Sequence, residues 1–217
     1  MNNRNYIVLS LVLVLGIIGG ISFYNNYQAT KEQEAFEVLL NNHLQGQQVR
    51  ETIDKAENDL RDGNEDNDFT AYAIIGAQRN IVGDLTGAEK YYLKALELRP
   101  SDNLVLWNLA SVYINEKKFN DVEKVYGKLI NLDPYTVRYS IALADLYRYQ
   151  LNDQAKMEDT ILRGLANNED HNDLLAYLAV YFKDNGDNTK AIEYYEKLVS
   201  AHPENVAAKK DLDELQK

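Results

Sequence analysis

The chain has no cysteine, three prolines, three histidines and one tryptophan in 217 residues. The first absence excludes disulfides, thiolate catalysis and a lipid-modified cysteine near the amino end. The histidines, His43, His171 and His202, are scattered, and none stands in the H-E-x-x-H spacing of a zinc hydrolase. Also missing are the G-x-x-x-x-G-K-S/T phosphate loop, the G-x-S-x-G nucleophile elbow and the G-x-G-x-x-G dinucleotide turn. Basic residues are scarce: 23 Lys and Arg face 34 Asp and Glu, for a formal charge of -11. That balance counts against nucleic acid as a partner, because phosphate neutralisation needs clustered cations. The oxygen ligands of Asp62, Asn64 and Asp66 lack the turn glycine and closing glutamate of an EF-hand, so they read as a solvated acidic linker. No enzyme activity, cofactor, metal site or small-molecule substrate is expected.

What is present is a pattern that returns on itself. The stretch 85–100 reappears loosely at 119–134 and at 188–203, each time closing on a proline. Pro100 and Pro134 are 34 residues apart, and Pro203 follows after two such periods plus one residue. That period belongs to stacked helical hairpins, which cannot bury their apolar faces alone and therefore pack in series. In the first stretch Ala88, Tyr91, Tyr92, Ala95, Leu96 and Leu98 recur at helical spacing, and the small ones let a neighbouring helix approach. Thr86 with Glu89, and Asn120 with Glu123, are expected as capping boxes. Gly83 and Gly186 are expected at hairpin turns with positive φ.

These residues resemble the tetratricopeptide repeat family, whose unit runs W-x2-L-G-x2-Y, then a small residue, an aromatic, another small residue and a closing proline. Tyr72, Ile75, Gly76 and Arg79, followed by Ala88, Tyr92, Ala95 and Pro100, take those places in the clearest unit, with only Arg79 out of type. Leu106, Leu109, Ala110 and Tyr113 precede Val122, Tyr126, Leu129 and Pro134 in the next. Leu143, Ala144 and Tyr147 open a degenerate third unit that continues through Met157, Ile161 and Gly164, carries the extra residue and has no proline. Leu175, Leu178, Ala179 and Phe182 precede Ala191, Tyr195, Leu198 and Pro203 in the last. The resemblance implies an all-α, right-handed solenoid of helical hairpins over 69–204, with repeats at 69–102, 103–136, 137–171 and 172–204. Before it, 25–60 reads as juxtamembrane helices forming a cap or degenerate repeat, and 61–68 as an acidic loop. After it, 205–217 reads as a capping helix.

Residues 1–5 form a short tail, and 6–24 carry no charge, enough for one transmembrane helix across a hydrocarbon core of about 30 Å. Tyr6 at one end and Phe23, Tyr24 and Tyr27 at the other suit the aromatic belts. A cleaved signal is the rival reading, with Gly20, Ile21 and Ser22 as its small-residue site, although the apolar run exceeds a usual signal core. Arg4 against Lys31-Glu32-Gln33-Glu34 favours an amino terminus in the cytoplasm and an extracytoplasmic repeat domain on the cytoplasmic membrane. A cytoplasm-facing adaptor with the reversed topology stays open.

The family's geometry places Asn80, Leu104, Trp107, Asn108, Ser111, Asn115, Arg138, Ile141, Asp145, Arg148, Asp173 and Lys183 along the concave groove presented by first helices. Trp107 follows Leu106, a core place, and is rotated about 100° from it toward that face. The resemblance therefore implies a membrane-anchored adaptor or scaffold that binds a peptide or protein segment, as in secretion, envelope assembly or chaperone hand-off. Trp107 would be the aromatic anchor, and Arg138, Arg148 or Lys183 would pair with acids of the partner. Packing of Trp107 between neighbouring hairpins is the competing role for that side chain. A self-associating structural assembly protein of the membrane periphery is the alternative for the whole.

Overall fold

The computed structural model describes residues 20–61 and 63–217, with helical backbone alone for 3–19. Every regular element among the described residues is a helix. The expected membrane span, 6–24, falls largely on side chains outside the described residues; among the described residues no helix is long and apolar enough to cross a membrane. The chain divides into two compact units, Met1–Leu98 and Arg99–Lys217.

The first unit contains α1 (Asn3–Asn42), α2 (Gly46–Asp59), α3 (Glu65–Ile81) and α4 (Leu85–Leu98). Phe36 and Leu40 of α1 join Val49, Ile53 and Ala56 of α2, Ala71 and Ile75 of α3, and Val82 in one buried cluster. The ion pair of Arg50 with Glu37 links α2 to α1. The acidic stretch is not a loop throughout. Asn64 accepts from the amide of Asp66 at 3.1 Å, and Glu65, Asp66 and Asp68 form the first turn of α3, where carboxylates favour the helix dipole. Asp62 lies outside the described residues.

Arg79 occupies the place where the repeat pattern wants an aromatic ring, and its guanidinium is held between rings. It lies 3.9 Å from the ring centre of Phe36 and 5.2 Å from that of Tyr91, and its Nη1 is 2.5 Å from Asp84 Oδ2. The same Asp84 caps α4 by accepting from the Gly87 amide at 3.0 Å, so Thr86 and Glu89 do not form the expected box. A Cβ on Gly87 would stand 2.1 Å from Asp84 Oδ2 and 2.7 Å from Arg79 Nη1, so a larger residue there would displace this ion pair.

The second unit contains α5 (Asn103–Asn115), α6 (Phe119–Leu132), α7 (Val137–Asp145) running into a π-helical segment (Leu146–Leu151), α8 (Gln154–Asn167), α9 (Asn172–Asp184), α10 (Asn188–Ala201) and α11 (Val206–Leu215). Each hairpin buries leucine and alanine of its first helix, namely Leu109 with Ala110, Leu143 with Ala144, and Leu178 with Ala179. Opposite them the second helices bury Val122 and Leu129, Met157 and Ile161, and Ala191 and Leu198. The extra residue of the third repeat coincides with the π-helical segment, as an inserted residue does when it is taken up inside a helix. Asn120 and Glu123 do not cap α6; Glu123 instead accepts from Tyr147 Oη at 2.7 Å and Lys156 Nζ at 3.0 Å. Its pKa is lowered by the Tyr147 hydrogen bond first and by Lys156 next.

Turns between second and first helices are tied by polar contacts roughly one repeat apart. Lys128 Nζ donates to the Pro100 carbonyl at 2.6 Å, and Asn168 Nδ2 to the Pro134 carbonyl at 3.2 Å. The His202 ring meets the Asp170 carbonyl at 2.6 Å, and Asn205 Nδ2 donates to Asn172 Oδ1 at 3.0 Å. The turn inside each hairpin repeats a left-handed residue: Gly83, Lys117, Asn152 and Gly186 have φ of 83°, 57°, 51° and 76°. Lysine is the residue of the four with least to gain from that conformation.

Lys117→Gly is therefore expected to stabilise the second unit by about 1 kcal/mol, seen as a higher denaturant midpoint with an unchanged slope. Arg79→Ala is expected to destabilise the first unit by about 3 kcal/mol, because Asp84 loses its cation and the space between Phe36 and Tyr91 opens. Amide exchange resolved along the sequence checks that this loss falls on α1, α3 and α4.

Candidate functional site

Asp102 starts α5 by accepting from the Val105 amide at 2.9 Å. With Leu106 and Leu109 turned into the core, Trp107 is carried about 100° around the helix from Leu106 and is half-buried. Its ring lies 5.5 Å from Tyr126 of α6 and 5.8 Å from Tyr139 of α7, both tilted. The Arg138 guanidinium covers it at 4.3 Å. Trp107 thus bridges two hairpins and at the same time forms the base of a cationic, aromatic surface.

The surroundings of that ring differ from end to end. Leu104 is 69 % exposed, Ser111 and Asn115 are exposed, and Asn108 and Ile141 are half-buried. Arg138 is exposed, and no carboxylate of the described residues lies within ion-pair distance of it. Farther along, Asp145 accepts from Tyr177 Oη at 2.8 Å. Burial, and then that hydrogen bond, push the Tyr177 hydroxyl well above its ordinary pKa, so it stays a neutral donor. Arg148 pairs with Asp184 at 3.3 Å among the rings of Tyr149, Tyr177 and Tyr181. Lys183 reaches Asp211 of α11 at 3.0 Å, and Tyr195 Oη donates to the same carboxylate at 2.9 Å. Asp173 is exposed and accepts from its neighbour Asn172 at 3.1 Å. Asn80 is half-buried in the first unit.

Of the three cations expected to face a partner, Arg148 and Lys183 are already matched by acids of the chain itself. Arg138 alone keeps an uncompensated charge. The residues that make this difference were not singled out by sequence: Asp184 and Asp211 as counter-charges, Tyr177 as a donor, and Tyr126 and Tyr139 as ring partners of Trp107. Asp184 follows Arg148 by 36 residues, close to one repeat, which is the one periodic signal for that pair. Nothing in the repeat spacing marks Asp211, because α11 lies past the last closing proline.

A family profile described as a tetratricopeptide repeat-like domain matches residues 1–131, and one described as a tetratricopeptide repeat matches 174–205. No curated protein is a match. Among solved structures, the crystal structure of a MamA protein is 26% identical over 68% of this chain and 80% of that one, with a TM-score of 0.51. A MamA RS-1 double mutant is 15% identical over 81% of this chain and 97% of that one, with a TM-score of 0.56. The C-terminal part of a repeat-containing protein from Cytophaga hutchinsonii is 22% identical over 66% and 60%, with a TM-score of 0.52. At those identities the last two likenesses concern the fold alone.

The pairing at α11 has a consequence for pH. The Lys183 hydrogen bond, with a further one from Tyr195, outweighs desolvation and holds Asp211 below its ordinary value of 3.8. A carboxylate with a depressed folded pKa contributes stability that is present above the unfolded value and is lost as pH falls through the folded one. Amide protection of α11 is therefore expected to hold above pH 3.8 and to fall below it. In Asp211→Asn that step should vanish, leaving α11 equally exchange-prone on both sides.

Proposed function

The chain belongs to the tetratricopeptide repeat-like family, and from that premise we propose that it is an adaptor that holds a peptide or protein segment on the first-helix face of its second unit. The observation that carries this reading is the Trp107 ring, clasped by Tyr126 and Tyr139 and covered at 4.3 Å by the exposed Arg138. A rigid aromatic base and an uncompensated guanidinium suit a segment with an acidic group beside an apolar one, with Leu104 and Ile141 taking the apolar contact. Arg148 and Lys183, already paired, shape the far end of the surface and leave the partner's charge to Arg138.

The adaptor is tethered to the cytoplasmic membrane through the apolar run 6–24, with the repeats on the extracytoplasmic side. Two features support the tether. Ile21, Phe23, Tyr24 and Tyr27 are each more than half exposed, a largely aromatic surface of the kind found at membrane interfaces. Helix α1 then continues without a break to Phe36 and Leu40 in the first unit's core, about 18 and 24 Å beyond Tyr24 at 1.5 Å per residue. Arg4 on the other flank supports the orientation.

Proximity labelling in intact cells, with the full-length chain beside a Trp107→Ala, Arg138→Ala double variant, tests the reading. Partners captured by the native chain are expected to fall at least about tenfold in the variant, the loss of one hot-spot pair, while its helicity is unchanged. An identical partner set would refute the site. A carboxyl end open to protease only from the cytoplasmic side would refute the orientation.

A further inference from the structure

Helix α11 packs on α10 as α7 packs on α6 and α9 on α8. The third, seventh and tenth residues from the start of α7, Tyr139, Leu143 and Leu146, are buried, and so are Leu174, Leu178 and Tyr181 at those places in α9. In α11 the same places hold Ala208, Leu212 and Leu215, and of these only the small Ala208 is buried. Lys209, Asp213 and Gln216, where α9 has the buried Leu175, Ala179 and Phe182, are exposed. The face of the last hairpin thus receives less apolar bulk than the equivalent faces before it, and α11 gains little from burial.

Polar contacts hold α11 instead. Asn205 reaches Asn172 at one end, and Gln216 Nε2 donates to Glu196 Oε1 at 3.2 Å at the other. Between them Asp211 is held at both oxygens: Lys183 Nζ lies 3.0 Å from Oδ1, and Tyr195 Oη donates to Oδ2 at 2.9 Å. Tyr195 is 1 % exposed, so without a carboxylate there its hydroxyl would lose its acceptor and Lys183 its counter-charge. Two donors from two helices that converge on one carboxylate select an acid at that point. A helix that offers this acid together with three large apolar residues, in the register of α7 and α9, meets the face better than α11 does.

We propose that the face of the last hairpin, α9 with α10, is an interaction surface for a partner's helix with large apolar residues at i, i+4 and i+7 and a carboxylate at i+3, and that α11 is its displaceable internal occupant. Displacement exchanges one carboxylate on Lys183 and Tyr195 for another and adds apolar burial, so the partner's advantage is the difference between its side chains and Ala208, Leu212 and Leu215. Trp107 lies on α5 against rings of α6 and α7, so this surface is a second one and does not rest on the adaptor reading.

The test uses the full chain in lipid nanodiscs and a fluorescein-labelled synthetic peptide of residues 205–217 carrying Ala208→Leu, read by fluorescence anisotropy. Saturable binding is expected, tighter than that of the same peptide with its native alanine; equal or weaker binding would overturn the apolar requirement. Asp211→Asn in the chain, which loosens α11 and leaves the other helices intact by circular dichroism, should tighten binding at least about tenfold, and Lys183→Ala added to that chain should cancel the gain. A peptide whose own acid is changed, Asp211→Asn, should bind the Asp211→Asn chain at least about tenfold more weakly than its parent. Trp107→Ala should leave these affinities unchanged. No saturable binding to either chain, or an Asp211→Asn peptide that binds as well as its parent, would overturn the proposal. A concentration-dependent dimer of the native chain that the peptide dissociates would give the surface to a second copy and overturn the partner reading.

Discussion

No hairpin in the second unit covers its own apolar surface, and the rest of that unit follows from this constraint. Fully buried alanines, Ala110, Ala144 and Ala179, let the paired helices approach, while the leucine beside each fills the seam. What remains apolar is covered by the next hairpin, through contacts of α6 with α7, α8 with α9, and α10 with α11. Stability is then shared between neighbours, and small deviations from the repeat pattern act locally without unravelling the series.

Those deviations are where the chain becomes individual. Arg79, in an aromatic place, is accepted because Phe36 of α1 supplies the missing ring and Asp84 the counter-charge. The long first helix is thereby joined to the first repeat-like hairpin by a cation held between rings as well as by the cluster around Val49 and Ile53. Ser140, in a bulky place, is met by Gly164 of α8, where an added Cβ would stand 3.1 Å from its Oγ. Lys117, in a glycine place, carries backbone strain in one hairpin turn.

Much of the fold was legible because it rests on local periodicity. Gly83 and Gly186 take positive φ as the turn chemistry requires, and Tyr92, Tyr126, Tyr147 and Tyr195 are core residues at the repeat's aromatic places. Capping is less legible. Asp84, Asp102, Asp153 and Asp187 each accept from an amide three residues on, so these four caps are aspartates just ahead of their helices, Asp84 in place of the Thr86 box, while α6 has no side-chain cap. The acidic stretch before α3 reads as loop over Glu65 to Asp68, since charge density masks a helix start whose cap is Asn64.

The sequence by itself determined the all-helical class, the period, the aromatic and alanine core places and the direction in which Trp107 leaves its helix. These depend on spacing along one or two turns, which the amino-acid order states directly. Only the tertiary structure decided which charges remain free. Arg148 meets Asp184 and Lys183 meets Asp211 because neighbouring helices bring distant residues within 3.3 and 3.0 Å, whereas Arg138 lies on Trp107 with no such acid.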